Sequence, residues 1–471
     1  MLFNSFDYLL FLPLVFILYW FVFNKNLTLQ NLFLLIASYI FYGWWDWRFL
    51  LLLILSTCID YSFGLVIHRS KNHKKLYLIL SIVNNLIILC FFKYYNFFAD
   101  SAQTLLDTIG FHIEPYILKV ALPVGISFYT FHGMSYVFDI YRGNTVPTKK
   151  FIDYSVFVCF FPLLVAGPIE RATHLLPQVQ QKRTFSFEKG KEGIKQILWG
   201  LFKKIVIADT CAKFVNEIFD NYHAMPSSML VLGAVYFAFQ IYGDFSGYSD
   251  IALGSARLLG FELLINFRYP YFSRDIAEFW RRWHISLSSW FRDYLYFPLG
   301  GSRGTLMQTV RNTFIIFLVS GFWHGANWTY IIWGFLHALY FMPLLLAKKN
   351  RTHLDTVGRI PKVSDVIRIL VTFILVTFAW IFFRAPTVSD AFEYISCMFS
   401  FKAGGIPVYY FSILPFILLM FIIDWLGKMY DYPLRMNHTA KPIRYALYFI
   451  LTYSVISHIT NTPNTFIYFQ F

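Results

Sequence analysis

Long apolar runs, separated by short polar stretches, dominate the chain. Positions 9–23, 32–42, 49–67 and 76–92 are mostly Leu, Ile, Phe, Val, Tyr and Trp. A bilayer core asks roughly 17–25 such residues of a spanning helix. The runs do not alternate with period two, as barrel strands would. The pattern therefore predicts an all-α polytopic membrane protein with about eleven transmembrane helices. The predicted spans are 8–23, 29–45, 49–67, 76–98, 117–140, 152–167, 228–259, 309–346, 365–383, 409–427 and 443–459. The polar centre of 228–259 should break it, and 309–346 is long enough for two segments. Two stretches, 185–208 and 275–298, mix Lys or Arg with Trp, Phe, Leu and Ile at helical spacing. They read as amphipathic helices in the membrane interface, the second on or dipping into the cytoplasmic face. No internal repeat or low-complexity stretch divides the chain, so 1–471 is expected to form a single domain.

Composition sharpens this. The 471 residues are 57 % hydrophobic and only 14 % charged, where a soluble domain carries about 25 % charged residues. The net charge of +14 sits in short loops between apolar runs, not in one basic patch, which argues against nucleic acid and for the positive-inside rule. The loop with Arg69, Lys71, Lys74 and Lys75 and the loop with Arg142, Lys149 and Lys150 flank a loop, 99–116, that has no Lys or Arg. That alternation places the two basic loops inside and the N-terminus outside. The same logic puts the loops around Lys348–Lys362 and Lys428–Arg444 inside, and the tail 460–471 outside. Residues 168–227 follow an outward span yet are rich in Lys, so a re-entrant or additional segment is expected near them. The first apolar run has no preceding Lys or Arg and reads as a retained helix, not a cleaved signal. The five cysteines form no C-x-x-C pair and predict neither a disulfide framework nor a metal site.

Candidate chemistry is sparse. His324, in GFWHGANW, lies between the apolar runs 314–322 and 328–346. An ionisable side chain at that depth marks a functional site by default, and burial there favours the neutral imidazole, which can accept a proton. Gly321 and Gly325 beside it would permit a broken helix or close substrate approach. The plain alternative is a neutral core histidine bonded to a nearby carbonyl. His284, in FWRRWHISLSSW, reads from context as a headgroup-level histidine. Asp244 and Asp250 interrupt an apolar run, at roughly 2.5–3.5 kcal/mol each inside lipid; pairing with Arg257 or Arg268, or a polar cavity, would offset that. Residues 161–171 form a helix break with a polar end, placed to shape a cavity wall. There is no P-loop, dinucleotide fingerprint, H-E-x-x-H or nucleophile elbow, so soluble-type nucleotide and hydrolase chemistry has no support.

Four motifs then carry a resemblance: FPLLVAGPIER (161–171), YGDFSGYSDIALGSARLLGF (242–261), FWRRWHISLSSWFRDYLYFPLGGSR (279–303) and GFWHGANWTYIIWGFLHALY (321–340). Together, and in this order, they resemble the membrane-bound O-acyltransferase family, in its bacterial branch of alginate and peptidoglycan O-acetylation proteins. The resemblance implies a helical ring around a central tunnel, open to both faces, with an essential histidine at the narrow point. His324 matches that histidine, and His284 matches the family's second. It implies a cytoplasmic thioester donor, acetyl-CoA in this branch, where a teichoic acid D-alanylating relative uses a carrier protein with a phosphopantetheine thiol. Arg281 and Arg282, with Trp283 beside them, become the candidate donor contacts, the guanidiniums placed to steer the CoA phosphates. The last residues, FIYFQF (466–471), resemble a short motif whose tyrosine is an acyl relay on the outer side; Tyr468 matches it, the alternative being an aromatic interface anchor.

The expectation from all this is an O-acyltransferase of the bacterial cytoplasmic (inner) membrane. It would pass acetyl across the bilayer for O-acetylation of peptidoglycan, or of alginate or another exopolysaccharide. Expected partners are an extracytoplasmic SGNH/GDSL-type transferase or esterase, a cell-wall glycan acceptor and membrane lipid. The rival class is a glycan or lipid transporter, which would have spans and a tunnel but no thioester chemistry.

Overall fold

The apolar runs do become helices, and their outward faces stay apolar. The computed structural model describes residues 1–111, 122–355, 358, 360–436, 439–460 and 466–467. It is helical throughout, with no strand among the described residues. Leu9, Leu10, Leu14 and Ile17 on the first helix, and Ile367, Leu370 and Ile374 on Val363–Arg384, are all exposed. Water would penalise such rows, whereas hydrocarbon does not. Among the described residues six helices are long and apolar enough to cross a membrane: Trp47–Arg69, Lys74–Thr108, Ser227–Leu258, Trp328–Leu346, Val363–Arg384 and Val408–Gly427. Phe6–Val22 and Leu27–Gly43 are shorter apolar helices.

The eleven expected spans are thus only partly matched. The 309–346 run is two helices, Leu306–His324 and Trp328–Leu346, as expected. The 152–167 run is not a crossing. Phe151–Cys159 is followed by the one-turn helix Phe161–Leu164, and nine residues rise only about 14 Å against a core of about 30 Å. Pro162 cannot donate to a continuing helix. In the 117–140 run the helix Ile126–Arg142 is described, while 117–121 lie outside the described residues.

At the centre lies Ser227–Leu258. Of its most apolar stretch 72 % is buried, against 22–44 % in the other five. It is one continuous helix of 32 residues, so the expected break at its polar centre does not occur. The reason is the segment beside it. Phe187–Leu201, Phe202–Ala208 and Asp209–Asp220 run on without interruption, antiparallel to Ser227–Leu258, with Gly193 against Gly254, Gly200 against Gly247, and Ile218 against Gly233. A Cβ on Gly200 would sit 2.5 Å from the Gly247 carbonyl oxygen; the small residues let the two backbones touch. In the middle, Phe202–Ala208 winds as a π-helix and carries Lys203 and Lys204 inward, both buried. Lys203 Nζ lies 2.6 Å from Asp250, and Lys204 Nζ lies 2.7 Å from both Asp244 and Asp209.

These contacts correct two expectations. The partners of Asp244 and Asp250 are Lys204 and Lys203, not Arg257 or Arg268; Arg257 instead donates to Gln196 and faces Glu262. The stretch 185–208 is not a separate helix but the first part of one that runs on to Asp220; its start keeps Phe187 and Ile194 exposed, while its turn at 202–208 is buried against Ser227–Leu258.

Candidate active site

The second stretch expected as an interfacial helix, 275–298, is not one continuous helix. It is two short helices, Ile276–Arg282 and Ile285–Phe291, followed by a π turn, and its Trp283, His284 and Trp290 are buried. Asp275 caps the first helix through the Glu278 N–H at 2.7 Å. The break falls at His284, whose backbone is left-handed (φ 42°, ψ 54°), a conformation that costs a residue with a Cβ roughly 1–2 kcal/mol. The kink is clamped from outside the segment. Ile285 N donates to the Asn266 carbonyl at 2.9 Å, Ser286 Oγ donates to Asn266 Oδ1 at 2.6 Å, and Ile169 N donates to Ser286 Oγ at 2.9 Å. Ile169 belongs to the 161–171 break, so that motif braces the kink. The next residue, Glu170, is fully buried, accepts from Leu264 N at 2.6 Å and pairs with His174 at 2.8 Å. Its hydrogen bond holds the His174 imidazole above the ordinary histidine value.

His324 is the last residue of Leu306–His324, and Gly325 continues extended. The helix break expected at these glycines is present, but the close approach is to protein. A Cβ on Gly321 would meet the Tyr330 carbonyl oxygen at 2.2 Å, and one on Gly325 would meet the Tyr330 ring at 2.1 Å. Opposite Gly321 is Gly334, where a Cβ would come within 2.3 Å of the Phe317 oxygen. The hairpin is thus a glycine-to-glycine crossing. Its C-terminal carbonyls have a partner that sequence reasoning missed: Lys93 Nζ donates to the Trp323 and His324 oxygens at 2.8 and 3.1 Å. A cation belongs at a helix C-terminus, but nothing local ties position 93 to position 324.

The two histidines meet in one aromatic chamber, with ring centroids 6.4 Å apart. Trp323, Trp333 and Phe383 stand 4.9, 5.1 and 5.4 Å from the His324 ring. Phe245 stands edge-on to His284 at 4.6 Å. Behind Trp333 lie Trp380, stacked at 5.5 Å, and His337, whose Nδ1 accepts from Trp280 at 3.2 Å. His324 is 2 % exposed and His284 fully buried. Trp333, Trp380, Phe383 and His337 were also missed, since apolar and aromatic residues in such runs carry no signal that separates a site wall from core.

The remaining site candidates sit differently. Arg282 is tied to Glu278 at 2.5 Å, and Arg281 donates to the Asn350 and His353 carbonyls at 2.9 and 2.7 Å. Trp283 is fully buried between Phe279 and Trp380. Tyr468 lies outside the described residues, but its neighbours do not. Phe466 and Ile467 are buried, Phe466 packs on Tyr248 at 4.7 Å and on Phe245 at 5.7 Å, and Ile467 N donates to Asp244 at 2.6 Å. The described part of the tail therefore reaches the ring that touches His284. Among the described residues no group of three or more His, Cys, Asp or Glu side chains is placed to hold a metal ion.

An all-helical body with a lipid-facing apolar surface and a polar, histidine-bearing interior defines a multi-pass membrane protein with an enclosed site. The chain belongs to the MBOAT, membrane-bound O-acyltransferase family, whose model matches residues 39–384, and it is an O-acyltransferase. It is 42 % identical to the "Probable alginate O-acetylase" of Pseudomonas aeruginosa over 407 residues, 85 % of this chain and 75 % of that protein. It is 35 % identical to the peptidoglycan O-acetyltransferase of Helicobacter pylori over 418 residues, 82 % of this chain and 77 % of the relative. With the teichoic acid D-alanyltransferase of Streptococcus thermophilus it shares 31 % identity over 263 residues, 52 % of this chain and 62 % of that protein.

Proposed function

We propose that this protein transfers acetyl from acetyl-CoA, across the bacterial cytoplasmic membrane, to an acceptor that serves O-acetylation of an exported glycan. The observation that carries the reading is the meeting of His284 and His324, from separate segments, in one chamber beside the anchored tail. His324 acts as general base. It takes the proton of an acceptor hydroxyl, whose oxygen forms a bond to the thioester carbonyl carbon; the carbon–sulfur bond breaks and the thiolate recovers the proton from the imidazolium. The products are an acetyl ester and free CoA, and the base contributes about 10²–10⁴-fold. His284 is placed to orient the reacting groups. Arg281 and Arg282, in the last turn of the helix before the kink, take the donor's phosphates by exchanging their present acceptors, with Trp283 as the wall behind them. Because His324 is enclosed, at least one wall side chain must rotate for donor and acceptor to enter.

Tyr468, next in the chain after anchored Ile467, is the acceptor hydroxyl in this reading. An outer-face SGNH/GDSL-type partner then passes acetyl to the glycan. Peptidoglycan is one acceptor, as the Helicobacter relative's name states for that protein. Alginate or another exopolysaccharide is the second, favoured by the higher identity to the Pseudomonas relative. His324→Ala at equal expression should lose acetyl transfer by at least 100-fold with the protein still folded, and Tyr468→Phe should lose it while keeping CoA release by hydrolysis. Full activity in His324→Ala would overturn the base assignment. Ester-linked acetate on muropeptides and on exopolysaccharide from a deletion strain decides the acceptor.

A further inference from the structure

A groove of about 700 Å³ opens between Phe187–Leu201 and Lys441–His458, away from the histidine chamber. Its wall is apolar: Phe16, Phe187, Ile194, Leu258 and Tyr445 line it, and Phe187, Ile194 and Tyr445 are well exposed. Its rim is basic, carrying Lys191, Lys195, Lys441 and Arg444. Two carboxylates share the first helix. Glu188 pairs with Lys191 at 2.9 Å, and Glu192 faces Arg435 at 3.6 Å. Lys195, Lys441 and Arg444 have no carboxylate within ion-pair distance among the described residues, and Arg444 Nε is buried without a hydrogen-bond partner there.

A second observation points the same way. Lys441 and Arg444 occupy the first turn of an 18-residue helix that has no acidic residue in that turn and no side-chain cap. A helix N-terminus is already the positive end of the dipole and favours anions. Two cations there, facing Lys195 across a groove, repel one another unless an anion sits among them. We propose that this groove binds one anionic phospholipid, its phosphate held by Lys195, Lys441 and Arg444 and its acyl chains lying along Ile194 and Tyr445. The occupant must be part polar anion and part hydrocarbon, because the wall faces lipid and the rim belongs to a basic loop of the kind that faces the anionic leaflet. Bound there, it ties Lys441–His458, the helix that leads to the tail, against Phe187–Leu201.

The test uses the full-length protein, purified in neutral detergent and stripped of lipid, titrated with phosphatidylglycerol and with phosphatidylcholine of the same acyl chains under native mass spectrometry. One phosphatidylglycerol should bind with marked preference over phosphatidylcholine. Lys195→Gln, Lys441→Gln and Arg444→Gln combined should weaken it about 100-fold, each charge contributing about fivefold. Lys195→Arg, Lys441→Arg and Arg444→Lys combined should bind as wild type. Ile194→Trp fills the groove without changing charge and should exclude the lipid even if the neutral triple variant fails to fold. Equal binding of the two lipids, unchanged binding in Ile194→Trp, or displacement of phosphatidylglycerol by CoA would each overturn the proposal, the last by making the groove a donor site.

Discussion

The backbone N–H of Ile467 donates to the Asp244 carboxylate at 2.6 Å, and the other oxygen of that carboxylate lies 2.7 Å from the Lys204 ammonium. One buried ion pair thus serves two ends: it lets charges sit inside the helix pair Phe187–Asp220/Ser227–Leu258, and it pins the tail. Asp244→Leu removes both contacts at once. Breaking a buried pair by taking away one partner costs roughly 3–5 kcal/mol, here softened by Asp209, which still holds Lys204. The variant should unfold at lower temperature in detergent, and its tail should be digested by carboxypeptidase at least tenfold faster than wild type. An unchanged digestion rate would detach the tail from Asp244.

His284 holds a left-handed backbone with a side chain attached. Glycine populates that region freely, so His284→Gly should be more stable than His284→Ala by about 1 kcal/mol, although both delete the imidazole. Thermal unfolding of the two variants side by side checks this. Under the proposed function both should be impaired in acetyl transfer, which separates strain at the kink from the role of the ring.

The hairpin that presents His324 depends on the Gly321–Gly334 crossing. Gly334→Ala places a methyl 2.3 Å from the Phe317 carbonyl oxygen, and overpacking of this kind costs about 1–3 kcal/mol. A lower melting temperature is expected, together with lost activity as the two helices part. Gly405→Ala, where a methyl would meet nothing within 4 Å, is the control and should behave as wild type.

Lys93 supplies the hydrogen bonds that close the end of the His324 helix. Lys93→Met keeps the length of the chain but leaves the Trp323 and His324 carbonyls without that donor, at a cost of about 1–3 kcal/mol for buried polar groups. Reduced thermal stability is expected, with partial rescue in Lys93→Arg. Stability equal to wild type in Lys93→Met would show that the carbonyls find another donor.

Much of this was legible in the linear chain. Hydropathy alone identified the class, the outer helices and the hairpin broken beside His324, because lipid imposes the same demand on every exposed turn. The four motifs pointed to the family and to His284 and His324. Local pattern failed wherever a residue's cost was settled far away. Lys203, Lys204 and Asp209 hide a buried helical stretch from any hydropathy reading, and Asp244 and Asp250 mimic a break; the pairs Lys204–Asp244 and Lys203–Asp250 cancel each other's penalties between residues far apart in sequence. The 275–298 stretch has the spacing of an interfacial helix, yet Asn266 and Ile169 bend it inward at His284. The chain by itself thus determined the solvent it lives in and the residue types it brings to chemistry. Only the tertiary structure decided which charges neutralise one another and which rings meet, because periodicity reports the average medium around a helix, while pairing is a relation between particular side chains that folding alone brings together.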